Sequence, residues 1–265
     1  MTSRFSSERI MEFWTEQALA HGQEAGASWS DVRVMEMEVR EIAKRLGHGM
    51  RVLDVGCANG FSTLQLARST GINVRGIDYI PEMIEAARLN LAESKDIPQA
   101  QVEFDVGNIL SLAEADQSFD AVVVIRVVIN LENWQRQQQG LLECARVLRP
   151  GGLLLLSEAT LQGLSRLNAL RREWGLDDIP MPPFNFYLDE PKVAAHLEGS
   201  LELVEIVNFA STYFAATRVI KPLLAKLAGD FVNPADPLME FNRWMSTAPA
   251  WGDYGTQKLL VFRKR

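Results

Sequence analysis

The chain has 265 residues, 47% apolar and 23% charged, a balance that can bury the core of one large α/β domain or of a domain carrying a substantial cap. A net charge of −7 argues against a phosphate-backbone partner, which calls for a basic surface, so no nucleic acid is expected. No stretch reaches the ~18 apolar residues of a membrane span and the N-terminus lacks an apolar signal core, while Cys57 and Cys144 form no C-x-x-C or disulfide framework. The expectation is a cytoplasmic protein with buried free thiols and neither membrane partner nor metal.

Residues 1–49 read as an N-terminal helical segment able to act as a lid. Phe5 to about Ala20 is compatible with an amphipathic helix, and His21 to Ser28 is a loop by composition. Asp31 is placed to cap a helix running through Val34, Met35, Ile42 and Leu46, which Gly47 and Gly49 end. From residue 50 short apolar runs alternate with helical patterns. Strands are expected at Met50–Val55, Asn73–Ile77, Val102–Val106, Asp120–Ile125 and Leu153–Ser157. The first helix between them runs from Phe61 to Ser69 and stops at Gly71. The next opens with Pro81 and places Met83, Ala87 and Leu91 on one face, and a third covers Trp134–Leu148 before Arg149-Pro-Gly-Gly152 breaks it.

Strands that alternate with helices pair in parallel through right-handed crossovers, and nearly unbroken apolar strands belong to a sheet covered on both faces. The fold class is therefore a doubly wound, mostly parallel α/β sheet. Residues 50–158 form its ligand-binding core and 159–200 a cap insertion. Residues 201–265 hold the last two strands, Leu201–Phe209 and Lys258–Arg263, around a second cap insertion at 211–256.

Such a sheet binds its ligand beyond the carboxyl ends of its strands. After the first strand comes Asp54-Val-Gly-Cys-Ala-Asn-Gly60, where two glycines allow a sharp bend and close approach to a ligand. Asp78 follows the second strand, placed to accept from a ribose diol. These features suit either SAM (S-adenosylmethionine) or NAD. The dinucleotide fingerprint G-x-G-x-x-G is missing, because residue 58 is alanine, and this disfavours an NAD-dependent oxidoreductase.

Five motifs in order over residues 50–158 resemble the class I SAM-dependent methyltransferases. Val52-Leu-Asp-Val-Gly-Cys-Ala-Asn-Gly60 looks like their first motif and Gly76-Ile-Asp-Tyr-Ile-Pro-Glu-Met-Ile84 their second. Gly107-Asn-Ile109, Phe119-Asp-Ala-Val-Val-Val124 and Arg146-Val-Leu-Arg-Pro-Gly-Gly152 complete the set. The resemblance implies a seven-stranded sheet with its last strand antiparallel and SAM as cofactor. It implies a donor site of Asp54, Gly56, Cys57, Ala58, Gly60, Asp78, Tyr79, Asn108, Ile109, Ile125 and Arg126. Asn108 replaces the common aspartate, and Ala58 a glycine found in many members. Arg126-Val-Val-Ile-Asn-Leu131 is similar to a subgroup reading Arg-x-x-Ile-Asn-Leu after the fourth strand.

The expected reaction is methyl transfer to an O, N or C atom of a small-molecule acceptor, as part of small-molecule metabolism. The alternative is a SAM-binding regulatory or scaffolding protein without transferase activity. Trp29, Asn168, Arg171, Asn185, Tyr187, Tyr213 and Arg218 are candidates for the acceptor site, since aromatics with a few polar groups suit a small-molecule pocket. Arg126, Glu158 and His21 are candidates for catalysis. Arg126 interrupts an apolar run and needs a partner, because a lone buried charge costs several kcal/mol. That partner is a carboxylate, with Glu158 at the end of the neighbouring strand as the candidate, or backbone oxygens, or an oxygen of the acceptor; a pair with Glu158 could also hold that carboxylate ready as a base. The sequence leaves the oligomeric state open.

Overall fold

The computed structural model describes residues 5–227 and 240–265. Two helices precede the sheet, each with a side-chain cap. The Ser6 hydroxyl accepts from Arg9 N–H at the start of α1 (Ser7–His21), and the Asp31 carboxylate accepts from Val34 N–H at the start of α2 (Val32–Ala43). These caps satisfy amides that a first helical turn leaves without partners. The alternating part follows as β1 (Arg51–Val55), α3 (Phe61–Thr70), β2 (Asn73–Asp78), α4 (Pro81–Glu93) and β3 (Val102–Val106). It continues through β4 (Phe119–Ile125), α5 (Trp134–Val147) and β5 (Leu148–Ala159). Beyond it lie α6 (Leu161–Glu173), α7 (Glu190–Leu197), β6 (Leu201–Val207) and α8 (Ser211–Ala215), then α9 (Lys221–Leu227), α10 (Glu240–Met245) and β7 (Gln257–Lys264).

The strands make one seven-stranded sheet in the order β3-β2-β1-β4-β5-β7-β6. All pairings are parallel except those of β7, which runs antiparallel to β5 and β6. Strand order switches direction between β1 and β4, so a crevice opens at their carboxyl ends. Successive residues feed opposite cores. Val52, Val123, Leu155 and Val261 pack with Val34 and Ile42 of α2 and Leu64 of α3. Leu53, Val122, Leu154 and Phe262 pack with Leu141 and Cys144 of α5 and Val193 of α7. Period-two alternation between two apolar faces is why these strands read as continuous apolar runs.

Most element ends match expectation within a residue or two. One strand is longer than expected: β5 starts at Leu148, opposite Phe119, and its register shifts before Ala121 meets Leu153. Arg149-Pro-Gly-Gly152 is thus an irregular entry into the strand as well as a helix stop. The sixth strand ends at Val207 instead of Phe209. Both cysteines are buried free thiols. Residues 228–239 of the second insertion and 1–4 of the N-terminal segment lie outside the described residues.

Candidate active site

β1 leads into the turn Gly56–Gly60. Gly56 and Gly60 have φ of 76° and 77°, a left-handed conformation that costs other residues ~1–2 kcal/mol. A Cβ on Gly56 would also come 2.1 Å from Val127 Cγ2, and one on Gly60 2.7 Å from the Phe104 ring. Ala58 is itself left-handed at φ 47°, so the loop keeps a path suited to glycine although an alanine stands there. Gly56 and Cys57 both donate their N–H to the Ile77 carbonyl, at 2.7 and 3.0 Å, which hooks the loop onto β2.

Two buried carboxyl groups brace this loop. The Thr63 hydroxyl donates to Asp54 Oδ2 at 2.5 Å, tying β1 to α3, and burial pushes the Asp54 carboxyl up to about 6. Asp78 accepts from Ala58 N–H at 3.0 Å and Ile80 N–H at 2.9 Å. Burial raises it to about 6, against the opposing pull of those amides. Each carboxyl oxygen of Asp78 retains a further lone pair for a ribose hydroxyl.

These groups form one wall of a cavity of about 820 Å³, within the usual range of small-molecule sites. Asp54, Gly56, Cys57, Ala58, Asp78, Tyr79, Asn108, Ile109, Ile125 and Arg126 all line it. A second wall is aromatic. Phe13 of α1 stacks on Phe184 at 4.7 Å, and Trp14 meets them edge-on at 5.1 and 6.2 Å. Pro182, Asn185, Tyr187 and Trp29 extend this wall. Both ends of α1 are fastened. At the front, Ser7 N–H and hydroxyl donate to Glu132 Oε2 at 2.9 and 2.8 Å. At the rear, Asn59 Nδ2 of the glycine loop donates to the carbonyls of Gly22 and Glu24, at 3.1 and 2.7 Å. His21 lines the cavity beside this tether, with Nδ1 3.5 Å from Glu24.

The turn after β4 carries the third set of groups. Arg126 has a φ of 54°, stacks on the Trp29 ring at 4.7 Å and pairs through Nη1 with Glu38 of α2. Glu38 is fully buried and also accepts from the Ser157 hydroxyl and, at 2.8 Å, from Gln257 Nε2. Glu158 Oε1 accepts from the amides of Val127 and Val128 at 2.8 and 2.7 Å, while burial pushes its carboxyl up to about 8.

A methyltransferase-domain family model matches residues 46–210, well over half of the chain. The chain belongs to the methyltransferase family. The O-methyltransferase rstn1 of Aspergillus nomiae is 31% identical over 180 residues, covering 67% of this chain and 76% of that one. The ubiquinone biosynthesis O-methyltransferase of Xanthomonas oryzae pv. oryzae is 41% identical over 110 residues, and the methyltransferase GfsG of Streptomyces halstedii 36% identical over 115. These two matches span 41% and 43% of this chain but only 43% and 40% of the relatives, less than half of their length. Among solved structures, the N-methyltransferase NodS of Bradyrhizobium japonicum bound to S-adenosyl-L-homocysteine (SAH) superposes with a TM-score of 0.55 at 20% identity, covering 95% of this chain and 98% of that one. The cyclase SpnF gives 0.58 at 21% identity over 85% and 80%. The fold is that of class I SAM-dependent methyltransferases and the methyl donor is SAM. The cavity fits this donor: the Gly56 turn borders it closely, and Asp78 faces the same space.

Other expected site residues of this methyltransferase lie elsewhere. The Arg126–Glu158 pair does not form, and Glu158 is not among the residues lining the cavity. The turn leaves β4 in a left-handed step, so the guanidinium goes to α2 while the following amides take Glu158. Gly60 supports the loop from behind, against Phe104. Asn168 bonds both backbone groups of Ile179, at 2.9 Å each, and Arg171 holds the carbonyls of Asp177 and Arg218. Tyr213 and Arg218 bind the Asp31 carboxylate, at 2.9 and 2.6 Å. None of these four side chains reaches the cavity. Sequence reasoning missed Glu38, although it falls midway between Val34 and Ile42 on the apolar stripe of α2, where a carboxylate requires a buried partner. It also missed Phe13 and Trp14, whose signal was their spacing three and four from Ile10 on one helix face.

Proposed function

We propose that this methyltransferase moves the methyl group of SAM to an oxygen of a small, mainly apolar acceptor held under the aromatic wall. One observation carries the reading: a single cavity joins the braced glycine loop and Asp78 to the stacked pair Phe13–Phe184. A protein that only sensed SAM would have no use for that second wall, which disfavours the regulatory alternative. Oxygen is favoured as the methylated atom because the named relatives from Aspergillus and Xanthomonas are O-methyltransferases.

SAM, when bound, supplies an electrophilic methyl group on its sulfonium. The chain's part is to position and to exclude water. Asp78 accepts from the ribose hydroxyls, the Gly56 turn gives room to the methionyl portion, and Asn108 with Ile109 borders the adenine. Phe13, Phe184 and Tyr187 hold the acceptor's apolar body, with Asn185 as a polar grip, and the fastened α1 keeps bulk water from the line of attack. His21 is the candidate to take a proton where an acceptor hydroxyl must lose one. The acidic surface favours a small molecule over a nucleic acid, and the buried free thiols favour the cytoplasm.

Phe184→Ala separates the two walls. Against a panel of apolar phenols and carboxylic acids, kcat/KM should fall at least about tenfold, or ~1.4 kcal/mol, with SAM affinity held within about twofold. Tight SAM binding with no transfer to any panel member would favour the regulatory reading. Equal loss of SAM binding would place Phe184 in the donor site.

A further inference from the structure

We propose that Arg126 is the seat of a carboxylate inside the cavity, supplied either by the methionyl end of the donor or by the acceptor. This deepens the functional reading above and rests on it. The Arg126 side chain is only 13% exposed, and that exposure faces the cavity it lines. Its Nη1 meets Glu38, whereas among the described residues Nε and Nη2 meet no acceptor. A guanidinium offers five N–H donors in a planar fork, and those that Glu38 does not take are available to a ligand in the cavity.

The fork is held still before any ligand arrives. One face lies on Trp29, and Glu38 is fixed by Ser157 and Gln257 from β5 and β7. The left-handed backbone at Arg126 aims the side chain at this bracket, a conformation that persists only where its surroundings enforce it. Ordering that the fold has already imposed need not be repeated on binding. Glu38 also balances the charge of Arg126. Attraction therefore comes from two directed N–H groups more than from net charge, which suits the paired oxygens of a carboxylate. Glu38 is on this view a positioning residue.

Both sources lie within reach of the same turn. Val127 packs on Gly56, which places Arg126 beside the loop that receives the methionyl portion. On the other side Asn130 Nδ2 donates to the Arg126 carbonyl at 2.7 Å, and Asn185 Nδ2 of the acceptor wall donates to Asn130 Oδ1 at 2.9 Å.

Calorimetry on Arg126→Gln separates the sources with SAH, its decarboxylated counterpart S-adenosyl-3-thiopropylamine, 5′-methylthioadenosine, and the pair cinnamate and cinnamamide. If the donor supplies the carboxylate, SAH binds the variant at least about tenfold more weakly while the thiopropylamine changes less than about twofold. If the acceptor supplies it, SAH affinity is unchanged. Cinnamate then binds the wild-type SAH complex and not the variant's, with cinnamamide indifferent to the substitution. Unchanged SAH affinity without Arg126-dependent binding of cinnamate overturns the proposal and leaves Arg126 as the counter-ion of Glu38. An equal loss of SAH, thiopropylamine and methylthioadenosine overturns it too. Should the single variant fail to fold, Glu38→Gln with Arg126→Gln removes both charges and leaves neither unpaired. Wild-type protein that bound neither SAH nor methylthioadenosine would instead sink the reading of the cavity itself.

Discussion

The two insertions flanking β6 are alike in length and neither is basic, yet they contribute unequally to the cavity. Residues 159–200 send Pro182, Phe184, Asn185 and Tyr187 to the cavity. The described residues of 211–256 reach it only through Thr256. Two of their polar side chains, Tyr213 and Arg218, go to Asp31 at the start of α2, and Arg40 of α2 reaches the Ser246 carbonyl at 3.1 Å. Both insertions leave strands of the same sheet. Connectivity decides where such a segment begins, and the partners it finds decide where it settles. Asp31 is the partner here, because one carboxylate caps α2 and anchors two side chains of the second insertion.

The largest expected effect is on stability. Tyr213→Ala removes a fully buried ring and a hydrogen bond to Asp31, and should cost about 3–5 kcal/mol by denaturant titration. Donor and acceptor kinetics of the folded fraction should not move. A variant of normal stability that lost acceptor turnover would bring the second insertion into the site and erase the contrast. Asp78→Ala comes next, on the core that both insertions share. It should weaken SAM binding by about 1–3 kcal/mol in calorimetry, the scale of charge-assisted hydrogen bonds. Since burial holds this carboxyl at about 6, wild-type affinity should also fall as the pH drops below that value, and the alanine variant should not share the fall. Unchanged affinity in the variant would remove Asp78 from the donor site.

A purely pH-dependent effect belongs to Glu158, behind the turn between the walls. Its folded carboxyl titrates at about 8, above the 4.5 of an ordinary glutamate. Between those values the unfolded chain has released this proton while the folded chain keeps it. Glu158 therefore lowers wild-type stability as the pH rises through the window. Glu158→Gln keeps a carbonyl for the Val127 and Val128 amides and has nothing to titrate. Its Tm should gain on the wild type as the pH rises from about 5 to about 8, at about 2–4 °C for each kcal/mol that the wild type loses. A difference indifferent to pH would mean that the buried carboxylate is balanced by its surroundings.

The sheet was legible because its strands are apolar on both faces and its helices open and close at Asp31, Pro81 and Gly71, all local signals. The glycine-loop side of the cavity was legible for a similar reason: a turn and the residue ending the next strand are fixed by chain direction alone. The acceptor side depends on meetings between distant segments. Nothing near Phe184 announces Phe13, which is 171 positions away (184 − 13), and Arg126 gives no hint of choosing Glu38 over Glu158. That choice follows from the positive φ at Arg126, a backbone state that the residue type argues against. Asn168 and Tyr213 carried the chemistry of pocket residues while serving as internal braces, so residue type misplaced them.

Gly56 answers to two requirements that cannot be repaired together. The left-handed φ belongs to the residue, whereas the 2.1 Å approach belongs to its pairing with Val127. Trimming Val127 to alanine would clear both Cγ contacts but leave its Cβ at a still tight 3.3 Å, and the strain of a side chain at position 56 would persist. Substitutions at the two positions are therefore coupled in one direction: Val127 is free to shrink while Gly56 stays, and Gly56 is not free to grow even after Val127 has shrunk. This corner of the loop is therefore expected to accept substitution on the β4 side and to resist it on the β1 side.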